Sequence, residues 1–179
     1  GHPLVRTVAA ASTSTFGAGR LVIAADADAQ SPMPVRMPRK LVSPTYFDVY
    51  EIGLVSGRRF TEAEASGGAP VAILSQQAAD TLWPGQNAVG RRVRLAADSR
   101  TPDGYTPRFP VVEVIGVART VFTSWDQDMR ATIYSPMSLV GVNLNMLVKT
   151  RGGNVSAGMR QIHADLRAGA PGVAEEIIT

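Results

Sequence analysis

The sequence predicts an α+β fold, and three observations carry that prediction. Short apolar runs such as "LVIAA", "VAIL" and "VVEVIGVA", bounded by Gly, Pro or polar clusters, recur along the chain as strands do. Two segments open instead with helix-capping residues: Thr61 with Glu64 three positions on, and Ser75 before a run that brings Ala78, Ala79, Leu82 and Trp83 onto one face. A longer helical pattern covers 154–168, where Val155, Met159, Ile162 and Leu166 fall at intervals of 4, 3 and 4.

Taken in order, "VRTVAAA" at 5–11 reads as a strand, "STSTFGAGR" as a turn-rich loop, and "LVIAA" at 21–25 as a second strand. "DADAQSPMPVRMP" holds three prolines between Pro32 and Pro38 and reads as irregular, with a third strand over 39–42. Ser43 and Pro44 suit a helix cap and the first helical position, so a short helix is expected there, with Tyr46, Phe47 and Tyr50 forming one buried wedge. Gly53 is expected to end that helix and Gly57 to turn the chain through Arg58 and Arg59 to Phe60. A new unit begins at Thr61. "VAIL" at 71–74 is a strand, the Ser75-capped helix stops at "WPG", and "VGRRVRL" alternates Val93 and Leu95 against Arg92 and Arg94. Residues 96–108 form a polar loop and 109–118 the strongest strand, followed by strands in "ATIYSPM" and "NMLVKT", the 154–168 helix and a last strand, "VAEEII". Pro-led openings at 3–8 and 171–177 echo each other and suggest two related strand–helix–strand halves.

Composition narrows the function. The chain has 179 residues, enough for one domain or two small lobes, and a net charge of +3. Of its 18 basic residues all but Lys40 and Lys149 are Arg, and no stretch reaches the basic density of a nucleic-acid footprint. Without cysteine there is no disulfide, zinc ribbon or thiol chemistry. No apolar run approaches the roughly 18 residues of a membrane span, and no secretory leader is visible, so membrane segments of a parent protein would lie outside this stretch. Gly1-His2 reads as a cloning remnant, and His2 carries no argument.

The inventory of reactive groups contains no active site. His163 lies at the edge of the apolar face of the 154–168 helix and reads as structural; a hydrolase pairing it with Ser75 or Ser43 is the weakest alternative. "GAG" at 17–19 leads into a strand, whereas a phosphate loop leads into a helix. "DADA" at 26–29 lacks the rest of a calcium loop, and Asp126 with Asp128 reads as a solvated loop. "GRRVR" at 90–94 is explained by strand alternation, and Glu175 and Glu176 point to opposite faces of a strand. Neither a cofactor nor a metal is expected.

The order of motifs is more informative than any one of them. "VSPTYFDVYEIGLVSGRRFTEAE", "PVAILSQQAADTLWPGQNAVGRRVRL", "VVEVIGVA" and "ATIYSPM" together resemble the extracytoplasmic (periplasmic) core domain of MacB-type, FtsX-like ABC transporter permeases, and within that group the permeases with a duplicated unit described from soil bacteria. The resemblance implies a porter-like lobe of strand–helix–strand units with a smaller mixed α/β lobe inserted in it. Residues 1–60 and 119–179 are then the porter-like lobe and 61–118 the insert. By the same analogy Tyr46, Phe47, Tyr50, Arg58, Arg59 and Phe60 form the seam between lobes. The implied role is non-catalytic, transmitting conformational change for efflux or mechanotransmission. Its partners are the membrane helices and ATPase domain of the parent transporter, a second permease copy and a periplasmic adaptor. The location is the extracytoplasmic face of the bacterial inner membrane. The alternative is a binding module that holds a lipid, peptide or small apolar ligand between lobes, beside Tyr46, Phe47 and Tyr50. The isolated chain is expected to be monomeric or weakly associating.

Overall fold

The computed structural model describes residues 5–12, 20–25, 34–97, 99, 101, 106–121, 131–137, 144–151, 160 and 164. Arg160 and Ala164 are helical. The rest of the 154–168 pattern, "VAEEII", "GAG", "DADA", Asp126, Asp128 and His163 lie outside the described residues.

Among the described residues the elements with full bounds are, in order, β1 (Val5–Ser12), β2 (Arg20–Ala25), β3 (Val35–Val42), α1 (Tyr46–Val49), β4 (Leu54–Gly57), α2 (Glu62–Gly67), β5 (Val71–Ser75), α3 (Gln76–Leu82), β6 (Arg92–Ala96), β7 (Val111–Ala118), β8 (Ile133–Pro136) and β9 (Leu144–Thr150). They build one mixed sheet in the order β2-β6-β7-β5-β8-β3-β1-β9, with β4 added beside β7. A further β2–β3 pairing closes six of these strands into a ring.

β3 makes the closure possible. Its first half pairs with β2, from Val35 opposite Ile23 to Pro38 opposite Arg20, and its second half runs parallel to β8, from Arg39 opposite Ile133 to Val42 opposite Pro136. Pro38 sits where the strand exchanges one partner for the other. It has no N–H to contribute to a ladder, and a change of partner is a place where a ladder can do without one. The expectation of an irregular chain up to Pro38 is therefore corrected: the strand begins at Val35 and runs through the proline.

Alternation then sorts the side chains into two layers. Leu21, Ile23, Met37, Ala72, Leu74, Val93, Leu95, Val112, Val114 and Ile133 form a largely aliphatic cluster, to which α3 adds Ala78, Ala79 and Leu82, and Trp83 follows just after the helix. The intervening residues of the same strands, Ile73, Ile115 and Tyr134, face a second cluster with Val42, Tyr46, Phe47 and Phe60. β5, β7 and β8 are thus buried on both faces, as their nearly continuous apolar sequences require.

Both capping signatures are realised. The Thr61 hydroxyl accepts from Glu64 N–H while the Glu64 carboxylate accepts from Thr61 N–H, and Gly68 ends α2 in the left-handed region. Ser75 Oγ accepts from Ala78 N–H at 3.2 Å and from Thr132 N–H at 2.9 Å, so one buried hydroxyl oxygen caps α3 and ties it to the approach to β8. α3 stops at Leu82, before Trp83-Pro84-Gly85.

Candidate functional site

The densest non-aliphatic structure surrounds α1. This helix is shorter than its sequence suggests, four residues, because Ser43 is used elsewhere. Ser43 Oγ accepts from Ala10 N–H at 3.0 Å, and Ser43 N–H donates to Ala10 O at 2.9 Å, which fastens the end of β3 to β1. Thr45 Oγ1 donates to Val8 O at 2.6 Å, leaving the Ser43 hydroxyl to donate to Thr45 Oγ1. The helix cap is Thr45, with no side-chain cap bond. Its end also differs from expectation. Gly53 is expected to end the helix, but the chain leaves it earlier: Glu51 takes a left-handed conformation at φ 55, and Ile52 N–H donates back to Phe47 O.

This anchored turn drives Tyr46 and Phe47 into the outer layer. Phe47 is fully buried and lies edge-on to Tyr134 at 5.2 Å between centroids, edge-on to Tyr46 at 5.6 Å, and tilted against Phe60 at 6.4 Å. Such pairs add roughly 0.5–1.5 kcal/mol each beyond the area they bury. Lys40 Nζ donates to the Tyr46 hydroxyl at 3.3 Å and stands 5.6 Å from the ring centroid. Burial, then the neighbouring Tyr134 and Tyr50, push the Tyr46 phenol upward; burial pushes Tyr134 up to about 12 and Lys40 down. Both tyrosines are neutral at physiological pH. Tyr50 corrects the expected wedge: it leans on Tyr46 at 5.0 Å but remains 50% exposed.

The two arginines leave the rings for carboxylates. Arg58 grips Glu64 with both terminal nitrogens, at 2.9 and 2.7 Å, while the same carboxylate holds the Thr61 cap. The Arg58 fork is the main reason, and the Thr61 hydrogen bonds a lesser one, that Glu64 is held down at about 2. Arg59 pairs with Asp48 of α1, and Lys149 of β9 pairs with Glu51. Between the ion pairs the backbone crosses at close range. A Cβ on Gly57 would stand 2.2 Å from Ile115 O, and one on Gly116 2.6 Å from Arg58 O. Gly57 also has φ +75. β7 carries an extra residue here, since Ala72 faces Val114 and Ile73 faces Gly116, and the bulged Ile115 turns its carbonyl to Arg58 N–H.

Of the residues expected at the seam, the fold unites Tyr46, Phe47 and Phe60, leaves Tyr50 at the rim, and sends Arg58 and Arg59 to ion pairs. Tyr134, Glu64 and Lys149 share these ring contacts and ion pairs, and the sequence reading did not place them there. "ATIYSPM" carries no sign that its tyrosine meets a ring 87 residues away (Phe47), although the capping box already tied Glu64 to this junction. Ser75 and Ser43, the alternative nucleophiles, both have their oxygens bonded to main-chain amides. Among the described residues no group of three or more His, Asp or Glu could hold a metal ion.

Two recesses flank the region. A polar one of about 400 Å³ is lined by Arg6, Asp48, Glu51, Arg59 and Lys149. A larger cleft of about 790 Å³ opens between α2 and the β3–β8 pair, with Leu41, Ala65, Phe109, Val112, Pro136 and Met137 among its walls.

The sequence profile of the MacB-like periplasmic core domain matches residues 2–168. The chain belongs to this family. The MacB-like fold is also found in solved structures. The periplasmic region of MacB from Actinobacillus actinomycetemcomitans superposes with a TM-score of 0.64 at 17% identity, covering 93% of this chain and 68% of that one. The extracellular domain of the noncanonic ABC-type transporter YknZ from Gram-positive bacteria gives 0.62 at 19% identity, covering 92% and 76%. No curated protein sequence matches significantly. The molecule is therefore the extracytoplasmic domain of a MacB-like transporter permease, which is not a catalytic family. No helix among the described residues is long and apolar enough to cross a membrane.

Proposed function

We propose that this MacB-like domain is a non-catalytic relay, carrying displacement delivered by the membrane helices of its permease for efflux or for mechanical signalling across the membrane. ATP hydrolysis in a separate cytoplasmic domain supplies the motion. A second permease copy and a periplasmic adaptor receive it. The isolated chain is monomeric, its pairing surfaces belonging to the assembled transporter.

One observation chiefly supports this reading: the path of hydrogen bonds crosses the chain's own segmentation. Residues 1–60 and 119–179 act in this proposal as the porter-like lobe and 61–118 as the inserted one. Yet β2 of the first segment pairs with β6 of the insert, and β5 of the insert pairs with β8. The lobes are distinguished by chain order and share one closed ring, so displacement entering either is passed on with little local give. Tyr46, Phe47, Tyr50, Arg58, Arg59 and Phe60 are the proposed seam, where the chain passes from β4 into α2 over the outer layer.

The test uses the complete permease with its ATPase. Phe60→Ala and Arg58→Ala should preserve ATP hydrolysis while transport falls. Unchanged transport after deletion of the whole domain would end the proposal.

A second reading, a module that holds an apolar ligand between segments, draws on the larger cleft. The sequence reading places that ligand beside Tyr46, Phe47 and Tyr50, but Tyr46 and Phe47 are packed into the outer layer. The larger and more apolar space lies instead between α2 and β8, and the recess that touches Phe47 is smaller and polar.

A further inference from the structure

Lys40 is placed by the strand that carries it. β3 alternates, so Arg39 turns to one face and donates from Nε to Ser135 Oγ, while Lys40, opposite Tyr134, takes the face of the aromatic layer. There its Nζ donates to the Tyr46 hydroxyl at 3.3 Å and stands 5.6 Å from the Tyr46 ring centroid. Among the described residues no carboxylate pairs with it. Around it α1 brings the phenol of Tyr46, with Tyr50 leaning on that ring, β8 brings Tyr134, and β1 adds only Ala9 and Ala11 to the layer. Asp48, the acidic residue of α1, is taken by Arg59. Lys40 is half-buried, so solvent still reaches part of the side chain. The other lysine of the chain, Lys149, gives its nitrogen to the Glu51 carboxylate.

We propose that Lys40 is a modification site of this domain, an amine that adds to small uncharged aldehydes to form an imine. This goes beyond the relay, which can hold or fail without it.

Three physical arguments single out this nitrogen. An amine reacts through a free lone pair, and a carboxylate partner opposes that by favouring the ammonium form. Lys40 has no such partner, and burial lowers its pKa from the ordinary lysine value. The Tyr46 oxygen accepts one N–H and so holds the nitrogen in place, and burial above all keeps that phenol neutral, so it brings no charge that would hold the proton on Lys40. The electrophile is small and uncharged because a half-buried amine among aromatic rings leaves little room and gives an added charge no partner. In the reaction the Nζ lone pair forms a bond to the carbonyl carbon. The carbonyl oxygen then leaves as water with both protons of the amine, a C=N bond remains, and no oxidant or reductant is consumed.

The test treats the 179-residue chain with formaldehyde and sodium cyanoborohydride, the latter serving only to trap the imine as a methylated lysine. Site-resolved mass spectrometry of the folded chain should show Lys40 labelled about fivefold faster than Lys149 at neutral pH. In about 6 M guanidinium chloride the two rates should agree, because the difference belongs to the fold. Labelling with carbon-13 formaldehyde gives a second readout by NMR, with Lys149→Arg assigning the Lys40 signal. In the folded chain that signal should titrate at lower pH than it does in guanidinium. Equal or slower labelling of Lys40, a rate difference that survives in guanidinium, or a folded-state titration at or above the unfolded one would each overturn the proposal. None of these results bears on whether Phe60→Ala uncouples transport from hydrolysis, so the two readings fail separately.

Discussion

The two faces of β5, β7 and β8 solve burial in different ways. Inside the ring the side chains are aliphatic: Leu74, Val114 and Ile133 are fully buried among Leu21, Ile23, Val93 and Leu95. On the outside Tyr134 and Ile73 meet Phe47, Tyr46 and Phe60, Lys40 bonds the Tyr46 hydroxyl, and Arg59 and Arg58 pair with Asp48 and Glu64. A closed ring has little room, so branched aliphatic residues from its strands fill it with few polar atoms to satisfy. Among the described residues the outer layer is covered by a four-residue helix, the chain that follows it and small residues of β1, Ala9 and Ala11. Rings supply much area from few residues there, and the tyrosine hydroxyls and flanking ion pairs manage the boundary with solvent. The difference teaches where the molecule is stiff and where it is adjustable: the ring by closure, the outer layer by a few large anchors.

That contrast can be broken by substitution. Phe47→Ala removes the anchor that touches three other rings and should destabilise the chain by about 4 kcal/mol in urea unfolding. Leu74→Ala inside the ring should cost about 3 kcal/mol, near the middle of the range for such cavities. If Leu74→Ala proves much the milder, collapsing freely, the ring is less rigid than its closure implies.

Gly57→Ala probes the junction between the layers. The positive φ alone costs about 2 kcal/mol for a side chain, and the approach to Ile115 O adds to it. A fall in the urea midpoint with an unchanged slope is the expected result.

The Arg58–Glu64 fork should matter less, because the Arg58 side chain is 54% exposed. Glu64→Gln should cost about 1 kcal/mol once solvent screening is allowed for. Its pH signature is specific. The folded-state pKa lies at about 2, below the reference 4.5, so the contribution is complete above pH 4.5 and is lost as pH falls toward 2. Acid titration of the wild-type chain should show this loss, and the Glu64→Gln chain should lack that component. Glu51→Gln is the smallest change. Its carboxylate is fully exposed, and thermal unfolding should not distinguish the variant from the parent.

Local elements were legible where a residue's role is decided by its chain neighbours. Thr61 and Glu64 reach each other within one helical turn, and Ser75 needs only Ala78 to cap α3, so both caps stand in the structure as the sequence states them. Val93 and Leu95 point inward because a strand alternates, whatever it pairs with. Ser43 shows the limit. Its type and its proline neighbour favour a cap, but Ala10 N–H arrives from 33 residues away and takes the oxygen instead. Pro38 shows the same limit in the other direction: a residue that argues against a strand is accepted where two partners meet.

By itself the sequence determined the α+β class, the two caps, the inward faces of the strands and, through the order of its motifs, the family. Those properties depend on spacings of two to four residues or on linear order, and both are written directly in the chain. Only the tertiary structure decided that six strands close into a ring, that Tyr134 joins Phe47 and Phe60, and that the larger cleft lies beside α2. Each of those outcomes depends on which distant segment arrives at a free edge or an exposed face first, and long-range partners leave no local mark on the residues they will meet.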